Sequence, residues 1–407
     1  MKAFNFSSEK IPSEITYKIP DASPEAERKT VSFRPQQGSS FSDTTNSTIQ
    51  IYIPPANFLD TFKSYLKFRH SASGTNVYAV SPVAQSLFRR VRIIDAGSNQ
   101  VITDIDYHNV LYRTKADVSD SVDLRGSPLN VLQGYWVDTT QAKAWAAGKT
   151  YILPLTFGFF KNNKYIPMKY TQGIYLEFVC DSSANVHITS SGSSSYTIDQ
   201  VEFIGDLVSF VPDLENEIGK LVASKGLKMY YDDFNHHFST YTVANQTLFV
   251  SDNSKSVKTL ITVLRESANI NNDSVDSLGT RSQGNTILTY QIKSGSKMYP
   301  SNPIDLSTGG AMAFAEMSKA MNSNVNGVIT QATWNKAFGG SGTQFFIGQN
   351  FETVDSLLSG DASISNEHKN IELTLTASNN PSPTTVNSWI HCDAFLTISG
   401  DGLSVIR

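Results

Sequence analysis

Apolar residues alternate with polar ones over short runs through most of this chain, and extended helical periods are scarce. Thr48-Ile49-Gln50-Ile51-Tyr52-Ile53 puts Ile49, Ile51 and Ile53 on one face of a strand that Pro54-Pro55 ends. Val91-Arg92-Ile93-Ile94-Asp95, the turn Gly97-Ser98-Asn99 and a second run at 101–105 predict a hairpin. Ser81 before Pro82 predicts a short helix over 82–90, with Ser81 as its cap and Pro82 in its first turn. A longer helix is predicted at 212–225, where Leu214, Ile218, Leu221 and Val222 recur at helical spacing, Asp213 can cap and Gly226 stops the run. Strands resume at 227–231, 238–243 and 247–250, and the polar stretch at 267–284 reads as the longest loop.

These elements fall into two series in the same order on either side of the 212–225 helix. The first has a strand at 64–69, the helix at 82–90, paired runs at 151–160 and 174–179, and a closing run at 196–210. The second has 257–264, a helix at 311–321, the pair 344–347 and 371–376, and a closing run at 389–398. Residue identity between the series is low, so the shared order carries the repeat. A chain of 407 residues exceeds what one hydrophobic core sustains, which makes two domains the expectation. Charged residues are only 17% of the chain while Ser, Thr, Asn and aromatic residues abound, which favours strands and turns and an all-β class.

Residues 7–46 differ from the rest. Apolar anchors such as Ile15, Tyr17, Ile19, Val31 and Phe33 stand isolated among Pro, Ser, Glu, Lys and Gln. Such a segment buries too little to fold alone. It reads either as a disordered tail or, since its apolar residues alternate, as an arm that orders as a strand added to a neighbouring subunit.

A net charge of -4 and a pI near 6.0 give no footprint for nucleic acid, so no specific nucleic-acid binding is expected. The local basic cluster Arg89-Arg90-Val91-Arg92 is expected to pair with acidic neighbours or to form a subunit contact. Cys180 and Cys392 lie at the ends of apolar runs and read as buried thiols of a reducing compartment. The first eight residues lack the apolar core of a secretory signal, so the chain is expected not to be secreted and the triplets at Asn46 and Asn245 not to be glycosylated. No run approaches the length of a membrane span.

The sequence offers few chemical constellations. Asp232-Asp233-Phe234-Asn235-His236-His237 holds metal-ligand residue types, but on a strand Asp232 and His236 share one face and Asp233 and His237 the other, so neither face holds three ligands. Gly339-Gly340-Ser341-Gly342 lacks the Lys-Ser/Thr ending of a phosphate loop. Asp104 and Asp106 would project from one strand face as a glycosidase pair does, yet no aromatic cleft accompanies them. No catalytic, cofactor-binding or metal-ligating residue is assigned, no cofactor is expected, and the chain is not read as an enzyme.

The run Tyr151-Ile152-Leu153-Pro154-Leu155-Thr156-Phe157-Gly158-Phe159-Phe160, followed by Lys164-Tyr165-Ile166-Pro167-Met168 and Ile174-Tyr175-Leu176-Glu177-Phe178, resembles the first jelly roll of double jelly-roll major capsid proteins. Tyr290-Gln291-Ile292-Lys293-Ser294-Gly295-Ser296-Lys297-Met298-Tyr299-Pro300 with the 311–321 helix is similar to the matching region in capsid proteins of Polinton-like viruses and virophages. So is the block from Phe346-Ile347-Gly348-Gln349-Asn350-Phe351 to Leu358-Ser359-Gly360. The resemblance spans 48–407 and implies an all-β fold of two consecutive eight-stranded jelly rolls with short helices and an extended N-terminal arm.

On that basis the expected division is an arm at 1–46, a first jelly roll at 47–211, a linker helix at 212–226 and a second jelly roll at 227–407. The resemblance further implies a non-enzymatic major capsid protein, made in the host cell and located in the virion, whose pseudo-hexameric homotrimers tile an icosahedral shell. Its partners would be other copies of itself, neighbouring capsomers, and penton and minor or cement proteins. Short loops set it apart from hexon-like relatives with tall towers and imply a compact capsomer. The alternative is a carbohydrate- or receptor-binding β-sandwich of a virion spike, for which Tyr135, Trp136 and Trp145 could supply an aromatic platform.

Overall fold

The computed structural model describes residues 25–120, 127–135, 148–162, 164–251, 254–281, 287–308, 310–321, 329, 334, 344–353, 370–399 and 402–407. The first half contains β1 (Ala26–Phe33), β2 (Ser40–Phe41), β3 (Thr48–Ile53), β4 (Phe58–Ala79), α1 (Val83–Ser86), β5 (Phe88–Asp95) and β6 (Val101–Ile105). It continues through α2 (His108–Ser119), α3 (Pro128–Leu132), β7 (Lys149–Pro154), β8 (Tyr165–Ile166), β9 (Ile174–Cys180), α4 (Ser183–Val186) and β10 (His187–Phe210). After α5 (Pro212–Lys225) come β11 (Leu227–Tyr241), β12 (Asn245–Ser251), β13 (Val257–Glu266), β14 (Ile287–Ser294) and β15 (Lys297–Asp305). The chain ends with α6 (Ala311–Ala320), β16 (Phe346–Asn350), β17 (Asn370–Ala377), β18 (Thr384–Ser399) and β19 (Gly402–Ile406).

Four antiparallel sheets pair into two sandwiches. In the first, β1-β10-β4-β7 faces β3-β9-β5-β6, with β2 on β10 and β8 on β4. In the second, β11-β18-β13-β16 faces β12-β17-β14-β15, with β19 on β18. With β1 and β2 counted as one interrupted strand, and β8 and β19 as additions, the two orders are the same strand for strand. Each sandwich therefore has an opening side, built by its first two strands, and a far side, built by its fifth and sixth with a helix between them. That helix is α2 in the first half and α6 in the second.

Alternation places the cores. Ile49, Ile51 and Ile53 are fully buried, as are Leu373 and Leu375 on β17, because successive side chains on a strand point to opposite faces. The buried apolar residues of both sandwiches form one connected cluster, which runs from Phe41 to Leu403 without a break at α5. The predicted hairpin is present, with Val91 opposite Ile105 and Ile93 opposite Thr103.

Several local expectations change. The helix expected at 82–90 is the four-residue α1, because the apolar alternation from Phe88 onward belongs to β5. Its cap position is held by Pro82 in an extended conformation instead of Ser81. The 311–321 helix corresponds in topology to α2 and not to α1. At α5, Val211 takes the cap position instead of Asp213, Pro212 opens the first turn and Gly226 closes the helix at φ 68°. The arm is part of the sandwich from Ala26 onward: β1 pairs with β10 of its own chain, Ala26 opposite Phe210 and Phe33 opposite Phe203, so no neighbour is needed to order it. Ile15, Tyr17 and Ile19 lie outside the described residues, as do Gly339 to Gly342 and the block 358–360.

Candidate functional site

Among the described residues, an extended polar network lies where the far side of the first sandwich meets the opening side of the second. α2 supplies much of it. Val110, Leu111, Thr114 and Val118 recur at helical spacing and are buried, so the helix is anchored on its own sandwich while Arg113 and Asp117 reach across.

Arg281, from the loop after β13, is fully buried and donates to Asp117 Oδ2 at 2.7 Å and to Thr114 Oγ1 at 3.1 Å. Arg113 donates to Asp117 Oδ1 at 3.1 Å and sits 3.4 Å from Asp276 of the second sandwich. Burial pulls the Arg281 guanidinium below its ordinary pKa against the opposing pull of Asp117. For Arg113 burial acts the same way, but Asp117 and Asp276 outweigh it and raise the group. Backbone and amide bonds extend this end of the seam, with Thr189 N donating to Asp273 O at 2.7 Å and Asn185 Nδ2 to Asn271 Oδ1 at 3.0 Å.

Midway down, Trp389 Nε1 donates to Asp106 O at 3.0 Å, and the Tyr107 ring lies 5.2 Å from His236. Lys115 Nζ sits 4.0 Å from the centre of the Phe234 ring, which also stacks on His391 at 4.6 Å. Burial, then the nearby Lys161, lowers the Lys115 ammonium to about 7. At the lower end, Tyr231 Oη donates to Ile102 O at 2.8 Å, Arg407 bridges Asp233 and Ile102 O, and Lys161 pairs with Asp232 at 3.0 Å. Burial works to raise the Asp232 carboxyl, but His391, Lys161 and Tyr230 together outweigh it and hold the group well below the carboxylate range.

The sequence candidates resolve against this frame. Asp104 receives Nε and Nη2 of Arg90 at 2.7 and 2.5 Å, and Asp106 receives Nε of Arg89 at 3.2 Å. Arg92 pairs with Glu177. The basic cluster is thus taken up by acidic neighbours, and the two carboxylates are held by guanidinium groups where a glycosidase would keep one free as acid. Both line a polar cleft of about 940 Å³ at the seam, together with Asn235, His236, His237 and Arg407. Asp232, Asp233 and His236 face different partners, namely Lys161, Arg407 and Asn387, and among the described residues no three His, Cys, Asp or Glu side chains converge on a metal position.

Tyr135 is 1% exposed and donates to Asp120 Oδ2 at 2.7 Å, so it cannot belong to an exposed platform; Trp136 and Trp145 lie outside the described residues. Cys180 and Cys392 are buried and neither forms a disulfide, and burial pushes the Cys180 thiol up to about 12. Sequence reasoning missed α2 and Arg281. The helical spacing of Val110, Leu111, Thr114 and Val118 was the available signal for the first; a lone arginine in a polar loop gave none for the second.

A sandwich of eight antiparallel strands in this order is a jelly roll, and two in tandem make the double jelly roll, which is the fold of this chain. No protein-family model and no curated protein matches the sequence. Solved structures match in fold. The chain is similar to PBCV-1 VP54, in a crystal structure fitted into a reconstruction of the virophage Sputnik, at 12% identity and a TM-score of 0.67, over 96% of this chain and 98% of that one. It is similar to the Faustovirus major capsid protein at 12% identity and a TM-score of 0.63, over 95% and 92% of the two chains. The mavirus major capsid protein matches at 10% identity and a TM-score of 0.53, over 100% and 95%. At such identities the likeness is one of fold. Among the described residues no helix is long and apolar enough to cross a membrane.

Proposed function

We propose that this protein is the major capsid protein of an icosahedral DNA virus, a non-enzymatic component of the virion that forms homotrimers of pseudo-hexagonal outline. The observation that carries this reading is the seam, where two sandwiches of identical strand order are fixed with the far side of one against the opening side of the next. Among the described residues, that arrangement leaves the opening side of the first sandwich and the far side of the second without another sandwich against them. Repeating the same step from chain to chain is a heterologous contact, and such a contact closes into a ring when its rotation allows. Six sandwiches in a ring are three chains.

The fold shared with the mavirus and Faustovirus major capsid proteins supports the assignment. In this reading the units are 47–211 and 227–407, joined by 212–226, and the arm at 1–46 adds edge strands and contacts neighbouring capsomers. Penton and minor capsid proteins complete the partners, with no cofactor and no dedicated nucleic-acid contact. Placement among Polinton-like viruses rests on the sequence resemblance alone.

Light scattering on the purified protein tests the reading directly. A trimer mass, with hexagonal particles in negative-stain micrographs, is the expected result; a stable monomer at micromolar concentration sinks it.

A further inference from the structure

Within the chain, α2 docks near the middle of the edge strand β11. Lys115 covers Phe234, and Tyr107, just before the helix, meets His236. The equivalent edge strand of the first sandwich is not continuous. It stops at Phe33 and resumes at Ser40, and the strand beside it, β10, bulges between Asp199 and Glu202, with Gln200 at φ 51°. The break and the bulge open a groove of about 700 Å³ over buried Phe41, walled by Arg34, Lys67 and Glu202. Arg34 and Lys67 each reach Glu202 at 2.7 Å, and with Asp199 also on the lining the two cations face two carboxylates.

The counterpart of α2 in the second sandwich, α6, keeps one face exposed, and among the described residues no strand of another sandwich lies against it. In α2, Val110, Leu111, Thr114, Ala116, Asp117 and Val118 are all buried, whereas in α6 only Ala313, Met317 and Ala320 are. Ala311, Met312, Ala315 and Lys319 line an exposed stripe, with Met312 48% exposed. A stripe of small residues and one flexible methionine suits insertion into a confined groove.

We infer that the groove at 34–41 and 199–202 is the socket for α6 of a second copy of this chain. The inference rests on the proposed trimer and adds to it the contact that closes the ring. Two features found separately, an opened slot on one free side and an uncovered helix on the other, occupy the positions that the internal seam already joins.

The test uses trimers assembled from mixed isotopically light and heavy protein and treated with a lysine-reactive cross-linker. Lys319, 60% exposed, and Lys67, 38% exposed, should appear as interchain pairs. Ala315→Arg on the helix and Ser39→Arg at the groove should each yield folded monomers with unchanged circular dichroism and lose that cross-link. Phe62→Ser, an exposed site at the lower end of β4, should leave the trimer intact. Trimers that persist in both arginine variants, or that cross-link through other faces, overturn the socket while leaving the trimer standing. A wild-type protein that remains monomeric overturns the trimer itself and the socket with it.

Discussion

Replacing Asp117 with leucine removes the carboxylate that holds Arg281 inside the seam. Both side chains are 0% exposed and, among the described residues, no other carboxylate forms an ion pair with Arg281, so the substitution leaves a buried guanidinium without its carboxylate. Breaking a buried pair from one side costs about 3–5 kcal/mol. At about 2.1 cal/mol/K per residue, a chain of 407 residues unfolds with an entropy near 0.85 kcal/mol/K, so the melting temperature should fall by about 4–6 °C if both sandwiches melt together. Arg281→Met should cost less, about 1–3 kcal/mol, because Arg113 still neutralises Asp117 from 3.1 Å. The double variant removes the stranded Arg281 charge while Arg113 keeps Asp276 at 3.4 Å, so it should be more stable than Asp117→Leu alone. Differential scanning calorimetry and urea titration at fixed protein concentration supply the numbers, since oligomer stability depends on concentration. If the double variant simply adds the two single costs, the two side chains are not coupled and the account of the seam is wrong.

Acid should destabilise the first sandwich through its buried imidazoles. His70 and His187 approach at 3.1 Å between Nε2 atoms, and burial holds both below 6.5, His187 at about 4. A base depressed in the fold binds its proton more readily unfolded, so stability is complete above about pH 6.5 and drains as pH falls toward 4, by about 3 kcal/mol for His187. Urea titrations from pH 7 to pH 4 on wild type and His187→Gln should show a shallower slope in the variant; parallel slopes refute the assignment. Gly158→Ala should cost about 1–3 kcal/mol, since φ is +53° there and a Cβ would lie 2.6 Å from Thr103 Oγ1, and unchanged thermal stability would contradict it. Removing residues 1–24 should leave the trimer intact in light scattering, whereas removing 1–45 strips β1 and β2 from β10 and should abolish it; a trimer surviving the longer truncation counts against the socket.

Legibility in the sequence followed the physics of burial. Strands with one face on the core, such as Ile49, Ile51 and Ile53, announce themselves through period two, and the correspondences of β4 with β13, β7 with β16, β9 with β17 and β10 with β18 were all readable from order. The full length of β4 and β10 was not. Their distal parts, around Ser71 to Thr75 and Ser191 to Ser195, pair with each other out in solvent and carry no alternation to read. The helix expected at 82–90 was overextended for a related reason: Ser81-Pro82 is a strong local start signal, but the apolar alternation that follows belongs to a strand, and tertiary context decided. The seam was the least legible part, because Arg281 and Asp117 lie 164 positions apart and pairing at that distance leaves no local trace.

The polar character of the seam has a geometric consequence. Apolar surfaces slide over one another at small cost, while hydrogen bonds weaken steeply once their angles degrade. A contact pinned at its top by Arg281, at its middle by Trp389 and at its bottom by Tyr231 therefore fixes the angle between the sandwiches as well as their contact. In the proposed ring that angle recurs in every chain, so any error in it would accumulate with each step around the circle. The bonds across the seam act as a tolerance specification, set inside one polypeptide, for whether a ring made of separate molecules can meet its own beginning.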